Sequence, residues 1–294
     1  MEDVTEARIH SSDGTELAVH VTGEGPLIVL ANGLGGSWPA WAPLLGGLGP
    51  SYRIASWDYR GLYRSGPPTR PEAVTIDDHV RDLGAVLEWL GGEPAVLVGW
   101  SMGVQVAVAY ALEVPADVRG LVLVAGAPGD PLAGVFHTGA SRWVVPPITR
   151  VVEAGAIPFG MAMRALTAPR VTPAVLRSLG LLSPRVDLGV FGALAHDFGR
   201  LDWRVYARAT RAMARHDAWP RLGELRRPVL VAGGTADLFL PVSTIEATVA
   251  AIPGAELWLV PGATHYLPVE VPDELAARIE RFLAERLEEP PLGR

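Results

Sequence analysis

An apolar, β-branched run, Pro94-Ala95-Val96-Leu97-Val98, passes through Gly99-Trp100-Ser101-Met102-Gly103 into a helix-forming run from Val104 to Tyr110. No other stretch constrains the fold as strongly. A G-x-S-x-G pattern at a strand-to-helix junction turns the chain so sharply that positive φ is expected at the serine, which is costly for a residue with a Cβ. Glycines two before and two after it remove side chains that would collide. The turn leaves the Ser101 hydroxyl beyond the carboxyl end of the strand. The first turn of the next helix offers backbone N–H groups without intrahelical partners. A tight turn with a capping serine fits the motif equally well, so the rest of the chain must decide.

With 294 residues the chain can bury a sizeable core, as one large domain or a domain with a long insertion. Its 49% hydrophobic and 19% charged residues are those of a globular protein. A net charge of −7 with no basic cluster argues against a nucleic-acid partner. No apolar run is long enough to span a membrane, and Met1-Glu2-Asp3 is acidic where a signal peptide is basic. A soluble, cytoplasmic protein is the expectation. The lack of cysteine excludes disulfides, thiolate nucleophiles and Cys-ligated metals. All 25 Lys and Arg residues are arginine, which excludes Schiff-base lysines, Ser–Lys dyads and a P-loop lysine.

In chain order, Glu6 to Val21 reads as two strands turned at Ser12-Asp13-Gly14. Leu27 to Leu30 is a short buried strand running into Asn32-Gly33-Leu34-Gly35-Gly36. Glycines this dense let backbone approach a ligand, and the loop suits an oxyanion hole formed by the Leu34 and Met102 N–H groups. Asn32, the chain's one asparagine, either satisfies the loop backbone or contacts substrate. The next strand, Tyr52 to Trp57, ends in a turn that Asp58 and Arg60 are expected to brace. Thr75 opens an amphipathic helix with apolar residues at Val80, Leu83, Val86, Leu87 and Leu90. Leu121 to Ala125 is another buried strand. Such alternation signals a mostly parallel sheet covered on both faces.

The alternation stops at Gly129-Asp130-Pro131 and resumes near Leu222. Between them lie proline-rich, helix-like segments, too long for a loop and read as a helical insertion over the sheet. His137 and His196, inside it, lack a metal-type partner at helical spacing. Beyond it, Val229 to Gly233 is a strand followed by Asp237, and Glu256 to Val260 is a strand followed by His265. Ser101, Asp237 and His265 thus follow strand ends in the order serine, acid, histidine. Asp130 also follows a strand. Asp237 is preferred for its Gly-rich approach and trailing Pro241.

In these features the chain resembles the α/β-hydrolase superfamily over nearly its whole length. The likeness rests on Gly99-Trp100-Ser101-Met102-Gly103, Asn32-Gly33-Leu34-Gly35-Gly36, Gly233-Thr235-Asp237-Pro241 and Gly262-His265, with Asp58-Tyr59-Arg60-Gly61 and Ser65 resembling a further family turn. The resemblance implies an α/β fold with an eight-stranded, mostly parallel sheet and helices on both faces. Residues 1–130 and 223–294 form its core, and 131–222 an inserted helical cap. It also implies Ser101 as nucleophile, His265 as base, Asp237 as its orienter, and Leu34 and Met102 as the oxyanion hole. The chain departs from the family in having Asn32 where relatives commonly carry histidine, Val104 for a second glycine, and Leu62-Tyr63 in the Arg60 turn.

An imidazole that takes the serine proton, held in one tautomer by a carboxylate, activates the hydroxyl without metal or cofactor. The expected function is a serine hydrolase that cleaves carboxylic esters of small molecules through an acyl-enzyme. The apolar insertion (Trp143, Phe159, Met161, Met163, Phe191, Phe198) points to a hydrophobic acyl or alcohol group. Asn32, Trp100, Trp143 and Met161 are the expected substrate-binding residues. Thioester, amide or C–C cleavage and peracid formation remain open on the same triad. A non-catalytic binding protein would not need all three triad residues.

Overall fold

A computed structural model describes residues 4–130, 141–168, 172–178 and 181–287. Eight strands form one sheet: β1 Thr5–His10, β2 Glu16–Thr22, β3 Leu27–Ala31, β4 Arg53–Trp57, β5 Ala95–Trp100, β6 Val118–Val124, β7 Val229–Gly234 and β8 Glu256–Val260. Their order across the sheet is β1-β2-β4-β3-β5-β6-β7-β8. β2 runs antiparallel to both β1 and β4, and all other neighbours are parallel. The β1–β2 hairpin turns where expected, with Gly14 at φ 86°.

Pleating sends alternate residues to opposite faces. On β3, Ile28 and Leu30 enter one hydrophobic cluster while Leu27, Val29 and Ala31 enter the other. Both faces therefore need cover, which explains why β3, β5 and β7 are buried along their whole length. Helices α1 (Ala42–Leu48) and α11 (Pro272–Arg286) cover one face through Leu44, Leu48, Leu275, Ile279 and Phe282. Helices α2 (Ile76–Trp89), α3 (Met102–Glu113) and α9 (Val242–Ala251) cover the other through Leu83, Val86, Val108 and Ile245. A capping box starts α2, where Thr75 and Asp78 satisfy each other's backbone N–H.

Between β6 and β7 come α4 (Ser141–Ala154), α5 (Ala156–Thr167), α6 (Thr172–Ser178), α7 (Leu188–Phe198) and α8 (Trp203–Met213). The first ten residues of the expected insertion, 131–140, lie outside the described residues. α4 packs on α8, and α5 on α7 and α8. A short helix, α10 (Leu267–Glu270), precedes α11. Among the described residues no helix is long and apolar enough to cross a membrane.

Candidate active site

β5 runs straight into the serine turn. Ser101 adopts φ 54°, ψ −114°, the strained conformation its flanking glycines imply. A Cβ on Gly103 would lie 2.0 Å from the Ala31 carbonyl oxygen, and one on Gly99 2.4 Å from that of Gly103. The turn is anchored by the Ser101 N–H, which donates to Val124 O at 2.9 Å. With this backbone fixed, Ser101 Oγ stands 2.9 Å from His265 Nε2. On the other side of the ring, His265 Nδ1 is 2.8 Å from Asp237 Oδ2. Asp237 Oδ1 accepts from the N–H groups of Phe239 (2.7 Å) and Leu240 (2.9 Å), so one carboxylate oxygen is locked by backbone and the other faces the imidazole.

The loop after β3 lies against this serine. The Gly36 N–H donates to Gly33 O at 2.8 Å, closing a turn whose third residue, Gly35, has φ 86°. A Cβ on Gly33 would meet the Ser101 Cβ and the Trp100 ring at 3.3 Å. Leu34 sits at the tip of the turn and lines the cavity beside Ser101. Met102 is the first residue of α3, where an N–H has no acceptor within the helix.

That cavity has a volume of about 760 Å³. The insertion contributes Met163, Leu166, Phe191, Leu194 and Phe198 to its wall. Among the described residues its lining includes no arginine, aspartate or glutamate, so it is a large apolar chamber with the serine and histidine at its floor. Burial pushes the Tyr206 phenol, also in the wall, above its ordinary range, helped by nearby Tyr266, and it stays protonated.

Of the expected substrate-binding residues, Trp100 lines the cavity; its Nε1 donates to His265 O at 2.9 Å, steadying the histidine loop. Asn32 does not line it. Fully buried, it donates from Nδ2 to Trp57 O at 2.6 Å and accepts at Oδ1 from Trp41 Nε1 at 2.6 Å. Its backbone oxygen accepts from the Tyr59 hydroxyl at 2.6 Å. Asn32 is thus a brace behind the loop rather than a substrate contact. Trp143 and Met161 are likewise corrected: they are 73% and 67% exposed on the outside of the insertion. Phe159 packs on Trp203 with ring centroids 4.9 Å apart, while Met163, Phe191 and Phe198 do reach the cavity.

Asp58 and Arg60 brace their loop, but not through each other. Asp58 Oδ2 accepts from the Arg64 N–H at 3.2 Å, whereas Arg60 Nε and Nη1 donate to Asp82 and Asp13, each at 2.8 Å. Burial opposes charge on Asp82, yet hydrogen bonds from Arg60, with the His79 ring 3.7 Å away, hold its carboxyl below the ordinary range.

One positioning residue escaped the sequence reading. Glu270, buried on α10, accepts from Thr264 N (2.7 Å), Thr264 Oγ1 (2.6 Å) and Ser183 N (3.0 Å). It ties the residue before His265 to the insertion. A glutamate two residues after Pro268 in a one-turn helix carries no sequence signal of that role.

An alpha/beta hydrolase family model matches residues 28–278. The chain belongs to that family. This hydrolase is 30% identical over 278 residues to the polyketide synthase ThaQ of Burkholderia thailandensis, covering 92% of this chain but spanning only 12% of the synthase's length. It is 28% identical over 264 residues to RutD of Shigella flexneri, which is named as a carbamate hydrolase, covering 90% of this chain and 93% of that one. Among solved structures, a hydrolase from Pseudomonas aeruginosa superposes with a TM-score of 0.73 at 26% identity, over 95% of this chain and 98% of the other.

Proposed function

We propose that this hydrolase cleaves carboxylic esters of small, hydrophobic molecules through an acyl-enzyme on Ser101. The observation that carries the reading is the relay from Ser101 Oγ to His265 to Asp237, at 2.9 and 2.8 Å, opening into a roomy uncharged chamber. His265 Nε2 takes the serine proton as Oγ attacks the ester carbonyl, and Asp237 holds Nδ1–H and the imidazolium that forms. Negative charge develops on the carbonyl oxygen, where the Leu34 and Met102 N–H groups stabilise it. Collapse expels the alcohol, which leaves with the proton from His265. Water then repeats the sequence, His265 taking its proton, and releases the acid and free Ser101.

Helices α4 to α8 act as a cap that excludes water and holds the apolar part of the substrate. A small, unsubstituted carbamate would leave most of the 760 Å³ empty, which favours a larger substrate. A chromogenic acyl-ester series of graded chain length, run beside thioester and amide analogues, tests the reading. Esters should be cleaved fastest, with kcat/KM rising about fourfold per methylene until the chamber fills, from about 0.8 kcal/mol each. Faster cleavage of the thioesters or amides, or no ester turnover, would move the activity to another bond.

A further inference from the structure

Tyr63 sits in the loop after β4 at φ 50°, a left-handed backbone that glycine enters freely and that is costly for a residue with a Cβ. Its neighbours hold it there. The Leu62 N–H donates to Tyr59 O at 2.9 Å, the Ser65 N–H to Leu62 O at 3.1 Å and the Arg64 N–H to Asp58 Oδ2 at 3.2 Å. From this position the ring reaches the loop after β3, where its hydroxyl donates to Gly35 O. Burial, with the charge of Asp58 nearby, pushes the phenol above its ordinary range, so it stays protonated and donates. Tyr63 is not among the residues lining the cavity, so it acts on nothing held there directly. Packing against the core alone would be met by phenylalanine.

Gly35 O and the Gly36 N–H belong to one peptide unit, and that N–H donates to Gly33 O at 2.8 Å. Gly33 O and the Leu34 N–H in turn belong to one unit. Among the described residues the Leu34 N–H donates to no acceptor. The hydroxyl, two peptide units and an open N–H therefore form one head-to-tail chain that ends beside Ser101. In such a chain each accepted bond fixes a peptide plane, polarises the unit and strengthens the donor at its far end. We propose that Tyr63 is a positioning residue for the oxyanion hole, aiming and strengthening the Leu34 N–H through the Gly35–Gly36 and Gly33–Leu34 peptides. The inference rests on the oxyanion role proposed for Leu34 above and deepens it. The hydroxyl then matters where negative charge has developed, and little for the neutral substrate.

Tyr63→Phe removes the hydroxyl and keeps the ring. On a p-nitrophenyl octanoate substrate kcat should fall about tenfold with KM within about twofold, a smaller loss than deletion of an oxyanion donor outright. Two inhibitors separate this role from packing. An octyl trifluoromethyl ketone takes Ser101 Oγ onto its carbonyl carbon; the serine proton passes to His265 Nε2 and the carbonyl π pair becomes an oxyanion. The corresponding secondary alcohol occupies the same chamber without that charge. Tyr63→Phe should weaken the ketone about tenfold and leave the alcohol unchanged. Incorporation of 3-fluorotyrosine at Tyr63, a stronger donor in the same place, should tighten the ketone and not the alcohol. Equal weakening of both inhibitors by Tyr63→Phe would mark a damaged chamber and overturn the proposal. An unchanged ketone affinity, beside tight binding to the wild type, would remove Tyr63 and leave the oxyanion hole standing. A wild type that binds the ketone no more tightly than the alcohol would remove both. Neither inhibitor contains an ester, so a different scissile bond would not alter the outcome.

Discussion

At the scale of single residues, the site depends on which atoms face the imidazole. Asp237 offers one oxygen to His265 and commits the other to two backbone N–H groups, so it cannot rotate away. Asp237→Asn should lower kcat by about 10⁴ near neutral pH, because an amide N–H facing Nδ1 selects the wrong tautomer. A mild effect there with a crippling Asp130→Asn would mean the acid has been misassigned. The serine turn was legible because its glycines are demanded by contact: Gly99 and Gly103 admit no Cβ. Asn32 was not. Its adjacency to the glycine loop pointed to substrate, but its partners, Trp41 and Trp57, come from two other elements. Only the fold brings them behind the loop.

Among elements, the strands were legible because a strand buried on both faces must be apolar throughout, as β3 and β5 are. The insertion's helices were legible as helices but not in their facing. α5 is apolar nearly all round, and Met161 and Met163 point about 200° apart at 100° per residue. Packing of α5 against α7 and α8 turns Met163 inward and leaves Met161 outside. Phe198, at the end of α7, presses on the loop after β3 so closely that a Cβ on Gly35 would lie 2.6 Å from its ring. Phe198→Ala should lengthen the preferred acyl chain by one or more methylenes, each worth about fourfold in kcat/KM, while Trp143→Ala should leave the optimum in place. Rates measured across the ester series decide. An optimum that moves with Trp143 and not with Phe198 would reverse the assignment of the chamber wall.

For the whole molecule, the buried Arg60 cluster joins three distant pieces: Asp13 in the β1–β2 hairpin, the loop after β4, and Asp82 on α2. Because the folded state holds the Asp82 carboxyl below its unfolded value near 4, this stabilisation is present above about pH 4 and is lost as pH falls through the lowered value. Asp82→Asn leaves a buried guanidinium without its main partner and should cost about 3–5 kcal/mol at pH 7, read from denaturant unfolding. Its stability should also fall less steeply below pH 4 than the wild type's; an unchanged midpoint would show the cluster to be dispensable. We propose above that one serine, Ser101, carries the chemistry of this hydrolase. It is tested most directly by titrating the protein with an alkyl fluorophosphonate while following intact mass and residual ester turnover in the same samples. One adduct is expected, mapped to Ser101, with turnover lost in proportion to labelling. Ser101→Ala should take no label and turn over esters about 10⁶-fold more slowly. An adduct on another serine, or ester turnover that survives complete labelling of Ser101, would contradict it.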